Sequence, residues 1–199
     1  MKPETVTQVI GLLLAAGAGT RMGMPKALVI GDDNVAWVLS SARALIAGGC
    51  DPTVVVVGAA ADDVRALLRD EPVAVVEAAD WQAGMAHSLA AGLEAAGATH
   101  AQAALVHLVD LPDVGADVVE RLRGYATPAV LARAAYRNGP GHPVLIGREH
   151  WQGVIDEATG DRGARGYLGG HTVTEVDCSD LASGIDIDSY AGFMTKVAA

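Results

Sequence analysis

Two cations stand close behind a run of residues with almost no side chain: Ala15, Ala16, Gly17, Ala18 and Gly19 precede Arg21 and Lys26. Bare backbone bends sharply and brings its N–H groups against a ligand, and ammonium and guanidinium groups meet charged oxygens as these leave water. The chemistry that suits this spacing is the binding of a polyphosphate. Pro25 fixes the backbone just before Lys26 and limits where the lysine stem can go. Two familiar phosphate loops are excluded. There is no GxxxxGK[ST], and in the GxGxxG pattern Met22 takes the third glycine position while Gly23 comes one residue late. The next strand-like run ends in Gly58 without an acidic residue, so a dinucleotide-binding fold is not expected.

A second group of chemistry-bearing residues follows the apolar run 103–109, which ends in Asp110. In open α/β sheets ligands gather beyond the carboxyl ends of strands, so Asp110 is a candidate there. Mg²⁺ binds through one or two carboxylates plus substrate phosphates, which is what such a site offers. Asp113 reads instead as the N-cap of a helix starting near Gly115, and His107 as a satisfied core histidine. Gly84 and Ser88 stand at the start of a helix, where free N–H groups bind phosphates or bases as readily as they form a plain first turn. Trp81 reads as a core anchor, and His87 as a residue that points to solvent or satisfies a local carbonyl.

The elements that must position these groups alternate. Residues 9–14, 53–57, 73–76 and 103–109 are short, largely apolar runs without helical period, as in strands buried on both faces, and 173–176 reads as a last strand. Between them lie helices: one capped by Asn34 and running to about Ala47, with Ala36, Leu39, Ala42 and Ile46 inward and Gly48-Gly49 as its stop; a short one opened by Asp62 and Asp63; one with Leu89, Leu93 and Ala96 inward; and one over 149–157. Residues 130–136 and 143–146 flank Asn138-Gly139-Pro140-Gly141 as a hairpin-like excursion. The fold class expected is α/β: a single domain, residues 1–199, forming a three-layer sandwich around a mostly parallel, Rossmann-like sheet with a small antiparallel excursion.

The segment from Leu14 to Lys26 resembles, at almost every position, the signature LAAGxGxRMGxPK of the nucleotidyltransferases that make molybdenum cofactor dinucleotides. Further matches follow in order: Trp81, Gly84, Met85, Ser88, Leu89, Gly92 and Leu93 to W-x-x-G-M-x-x-S-L-x-x-G-L, Asp110 to D-x-P, 141–147 to a GHPVLF-type motif, 160–165 to G-D-x-G-A-R, and 184–189 to D-I-D-[TS]-P-E-D. The last is partial, because Tyr190 replaces the proline and Gly192 breaks the acidic tail. The chain is thereby identified as a member of the molybdenum cofactor cytidylyltransferase family of MobA-like nucleotidyltransferases, which implies a GT-A-like fold. The resemblance implies that CMP passes from CTP to the phosphate of the molybdenum pterin cofactor with release of pyrophosphate, in the presence of Mg²⁺. It implies Arg21, Lys26 and Asp110 as catalytic groups. The nucleotide would lie on Leu14, Ala15, Ala16, Gly17, Gly19, Arg21, Lys26, Gly84 and Ser88, the acceptor on His142 and Arg165, and the metal on Asp110 and Asp188, with Asp186 as the alternative to Asp188. Arg162 joins Arg165 as a candidate phosphate clamp, while the alternatives are surface charge on a glycine-broken turn for both arginines and a turn histidine held by Pro143 for His142. Ala16 stands where the guanylyl-transferring relatives have glycine, which points to CTP rather than GTP. Rival readings are a guanylyltransferase, a nucleotidyltransferase for a sugar phosphate or another phosphorylated metabolite, and a cofactor carrier without turnover. The implied partners are CTP (or GTP), the molybdenum pterin cofactor, and a recipient molybdoenzyme or its chaperone.

Composition sets the outer bounds. A chain of 199 residues with a net charge of −10 is a poor nucleic-acid partner, since such surfaces are basic. No apolar run is long enough to span a membrane, and the charged start followed by glycines does not read as a signal peptide. The expectation is a cytoplasmic protein that contacts neither nucleic acid nor membrane. Cys50 and Cys178 lack metal-ligand spacing and read as reduced and structural.

Overall fold

Val9–Leu14 forms strand β1, buried at every position, because helices cover both of its faces. Val9 and Leu13 point into one core; Ile10, Leu12 and Leu14 point into the other. The computed structural model describes residues 7–187. Its other strands are β2 (Thr53–Val57), β3 (Ala74–Glu77), β4 (Ala103–Leu108), β5 (Leu131–Tyr136), β6 (Gly139–Gly147) and β7 (Thr174–Asp177). They make one sheet in the order β3-β2-β1-β4-β6-β5-β7. All neighbours run parallel except β6, which is antiparallel to both β4 and β5.

The helices are α1 (Trp37–Ala47), α2 (Ala61–Leu67), α3 (Met85–Gly97), α4 (Ala116–Arg123), α5 (Trp151–Glu157) and α6 (Arg165–Gly169). α1, α2 and α4 cover one face through residues such as Trp37, Leu45, Val64, Val119 and Leu122. α3, α5 and α6 cover the other through Leu89, Leu93, Trp151, Val154 and Tyr167. Each fully buried aliphatic or aromatic side chain contributes roughly 1.5–3 kcal/mol. This is the expected three-layer α/β sandwich. Among the described residues no helix is long and apolar enough to cross a membrane. Both cysteines are free and buried, and burial pushes the Cys50 thiol up to about 12.

Several local expectations are corrected. Asn34 does not cap α1: the N-cap is Ala36, without a side-chain bond. Asn34 has a φ of 59° and its N–H donates to Gly31 C=O at 3.0 Å, because Ile30 pairs with Ala36 and the chain must turn between them. The buried face of α1 is Trp37, Val38, Ser41, Ala42 and Leu45, so Leu39 and Ile46 lie at its margin. Asp113 does not cap α4, whose N-cap is Gly115; its carboxylate accepts from Ser183 instead. His107 is fully buried in the core, as expected, but neither ring nitrogen has a hydrogen-bond partner among the described residues. The antiparallel element lies inside the sheet, and β6 starts at Gly139, within the stretch expected to be loop.

Candidate active site

The chain leaves β1 at the point where the sheet order reverses, with β2 on one side and β4 on the other, and such switch points open a crevice beyond the strand ends. The loop is tied down as it departs. Ala15 N–H donates to Val56 C=O, and Ala59 N–H to Ala16 C=O, both at 2.9 Å. Gly19 has a φ of +61°, and a Cβ there would lie 1.9 Å from Met24 O, so only glycine lets residues 19–24 fold back on themselves. Met22 N–H closes that turn on Gly19 C=O at 2.8 Å, and its side chain is buried. Lys26 then opens a single 3₁₀ turn, Lys26–Leu28, behind Pro25.

Lys26 and Asp110 lie 84 positions apart in sequence, yet Lys26 Nζ donates to Asp110 Oδ2 at 2.8 Å. The other carboxylate oxygen, Oδ1, is buried and has no hydrogen-bond partner among the described residues. A buried anionic oxygen without a donor is costly, and a divalent cation is the ligand that would meet it. The segment before residue 188 returns to the same place: Ile187 N–H donates to Asp110 C=O at 3.0 Å, and Asp186 lines the same cleft as Asp110. Asp188 lies outside the described residues. No group of three or more His, Cys, Asp or Glu that could hold a metal occurs among the described residues. One or two carboxylates with substrate phosphates and water fit Mg²⁺ nonetheless.

The other half of the cleft owes its place to the direction of β6. Val106 of β4 pairs with Val144, so the first residues of β6 reach the carboxyl end of β4. They bring Gly141 and His142 into the cleft that Gly17, Gly19 and Arg21 also line. Burial lowers the His142 imidazole to about 4, against the pull of Asp110 and with a smaller push from Arg165, so the ring is neutral near pH 7. Tyr136 O–H donates to His142 C=O at 2.7 Å. Arg165 opens α6, which Tyr167 anchors: its hydroxyl lies 2.8 Å from His150 Nδ1, and its ring stacks on His171 at 4.1 Å.

These groups line one cleft of about 1040 Å³. Leu14, Ala16, Gly17, Gly19, Arg21, Lys26, Gly84, Ser88, Asp110, His142 and Arg165 all face it. Ala15 does not; it is turned into the α1 core. Sequence reasoning missed Arg133, which lines the cleft and sits on β5 in register with Val144 of β6 and Glu175 of β7. Its guanidinium donates to Glu175 at 2.6 Å. A lone arginine in the run LARAAY is the signal that could have found it.

Residues 11–176 match the MobA-like NTP transferase domain. Nicotine blue oxidoreductase of Paenarthrobacter nicotinovorans is 38% identical over 191 residues, covering 91% of this chain and 92% of that protein. The manganese complex of Rv0371C from Mycobacterium tuberculosis is 27% identical, with a TM-score of 0.77 over 97% of this chain and 100% of that one. A nucleotidyl transferase from Methanothermobacter thermautotroptrophicus shares the fold, with a TM-score of 0.81 at 20% identity over 95% of both chains. A loop of small residues and a carboxylate share one cleft at the switch point, and with residues 11–176 matched by that description the chain belongs to the MobA-like NTP transferase domain family and is a nucleotidyltransferase.

Proposed function

We propose that the chain moves CMP from CTP to the terminal phosphate of the molybdenum pterin cofactor. The observation that carries this is the joining of the phosphate loop to the Lys26–Asp110 pair, with Asp110 Oδ1 left for a cation. An acceptor phosphate oxygen attacks the α-phosphorus of CTP, the new P–O bond forms, and the bond to the β-phosphate bridge breaks with its electron pair leaving on pyrophosphate. In such transfers catalysis is alignment plus neutralisation of charge. The loop N–H groups, Arg21 and Lys26 hold the triphosphate; Asp110, with Asp186 or Asp188, would hold Mg²⁺, which supplies charge neutralisation on the phosphates. His142 meets the acceptor as a neutral imidazole and Arg165 as a cation. The base slot favours cytosine because Ala15 and Ala16 are tied to the end of β2 and its neighbour Ala59, so the Ala16 methyl cannot withdraw from a two-ring purine.

A second reading, a redox reaction in the same cleft, rests on the name of the 38% identical relative. Against it stands the absence of a dinucleotide fingerprint, with Met22 at the third glycine position. One set of assays separates the readings: pyrophosphate release from CTP and from GTP with the molybdenum pterin cofactor, with a sugar phosphate, and without acceptor, beside oxidation of NADH and NADPH. Cofactor-dependent release from CTP is expected. Release only with the sugar phosphate, a preference for GTP, or nicotinamide oxidation without release each overturns the assignment in favour of its rival.

A further inference from the structure

The segment that brings Asp186 to the cleft has no regular secondary structure, so something other than a strand or helix must hold it. Asp113 Oδ2 accepts two hydrogen bonds from Ser183, one from its N–H at 2.9 Å and one from its hydroxyl. The Ser183 hydroxyl oxygen in turn accepts from Ile185 N–H at 3.4 Å. The following Gly184 is pressed on an aromatic ring: a Cβ there would lie 2.1 Å from Tyr136. Farther on, Ile187 is 5% exposed and its N–H is bound to Asp110 C=O. The segment is therefore pinned at residue 183 and again at residue 187, and Asp186 lies between the pins.

We propose that Asp113 is a positioning residue for the metal: with Ser183 it forms a clasp that holds residues 183–187 so that their carboxylate faces Asp110. A carboxylate accepting from both N–H and O–H of one residue makes charge-assisted bonds of defined direction. The second carboxylate would otherwise ride on a segment free to take many conformations, and ordering it at the moment of metal binding would weaken that binding. Asp113 itself need not touch the metal. The proposal rests on the metal-dependent transfer argued above, and it deepens that reading by naming what assembles the metal site.

The test uses the full chain with Mn²⁺ as probe, following loss of the free Mn²⁺ resonance in the presence of CTP. Asp113→Ala is expected to raise the Mn²⁺ Kd about tenfold, the scale of one or two lost charge-assisted hydrogen bonds. Ser183→Ala keeps the N–H bond and Asp113→Asn keeps an accepting oxygen, so each is expected to raise it about threefold. CTP affinity without metal is expected to stay within about twofold of wild type in all three. An Asp113→Ala chain that melts like wild type and binds Mn²⁺ like wild type overturns the clasp. Should that variant fail to fold, an unchanged Mn²⁺ Kd in Ser183→Ala overturns it instead. Wild-type protein that binds no Mn²⁺ with CTP also overturns it. A wild type that binds Mn²⁺ through the clasp but transfers nothing to the molybdenum pterin cofactor overturns the acceptor reading alone.

Discussion

Lys26 and Asp110 are only 16% and 17% exposed and pair at 2.8 Å, so each offsets part of the other's charge where water reaches it poorly. Lys26→Ala is expected to lower turnover by about a hundredfold or more, the scale of losing a preorganised charge-stabilising group, with the circular dichroism spectrum unchanged. Pyrophosphate release measures it. Asp110→Asn is expected to weaken the metal dependence, read by magnesium titration of activity; the same titration on Asp186→Asn and Asp188→Asn tells which of the two is the second ligand. In the proposed reading Ala16 would set the width of the base slot with a single methyl. An overpacked contact costs roughly 1–3 kcal/mol, which is a preference for CTP of about tenfold to hundredfold, and Ala16→Gly is expected to relax it. The kcat/KM values for CTP and GTP with one acceptor decide the point.

At the scale of elements, the loop between β1 and Lys26 works because Gly19 lets residues 19–24 double back. Gly19→Ala is expected to open that turn and raise the CTP Kd about tenfold or more, while helix and strand content stay as they are; nucleotide titration by calorimetry checks it. The inner strands were legible in the sequence because burial on both faces writes a nearly unbroken apolar run, as in Val9–Leu14 and Thr53–Val57, whereas the outer β3 and β7 are more open to solvent. The ends of elements were less so. Asn34 and Asp113 have the residue type of a cap, but one is taken by a turn and the other by Ser183, 70 positions away, and local spacing cannot register a distant partner. Trp37 was missed on the inner face of α1 because the stripe was drawn one position off a helix start that the cap had misplaced. Residue type singled out the small-residue loop with Arg21 and Lys26, and Asp110, and the fold brings them to one cleft. Arg133 was not, because its place on the cleft wall depends on the register of β5 with β6.

At the scale of the whole molecule, two neutral imidazoles inside an acidic protein make stability depend on pH. Burial lowers His107 to about 3 and His142 to about 4, against the ordinary 6.5. Unfolded, both histidines take up protons below about 6.5; folded, they resist, so the unfolded chain binds more protons and stability falls as pH falls through that value. The slope is about 1.4 kcal/mol per pH unit for each histidine. Urea midpoints at about pH 5.5 are therefore expected below those at about pH 7.5, and His107→Leu is expected to remove about half of the difference. The bond from Ile187 N–H to Asp110 C=O has a consequence in time as well as in space. Translation at about 5–20 residues per second needs roughly 4–14 s to cross the 70 positions from Asp113 to Ser183. A growing chain thus carries residues 15–26 and Asp110 for several seconds before the segment bearing Asp186 arrives, and on the proposed reading it would grip a metal nucleotide only after that.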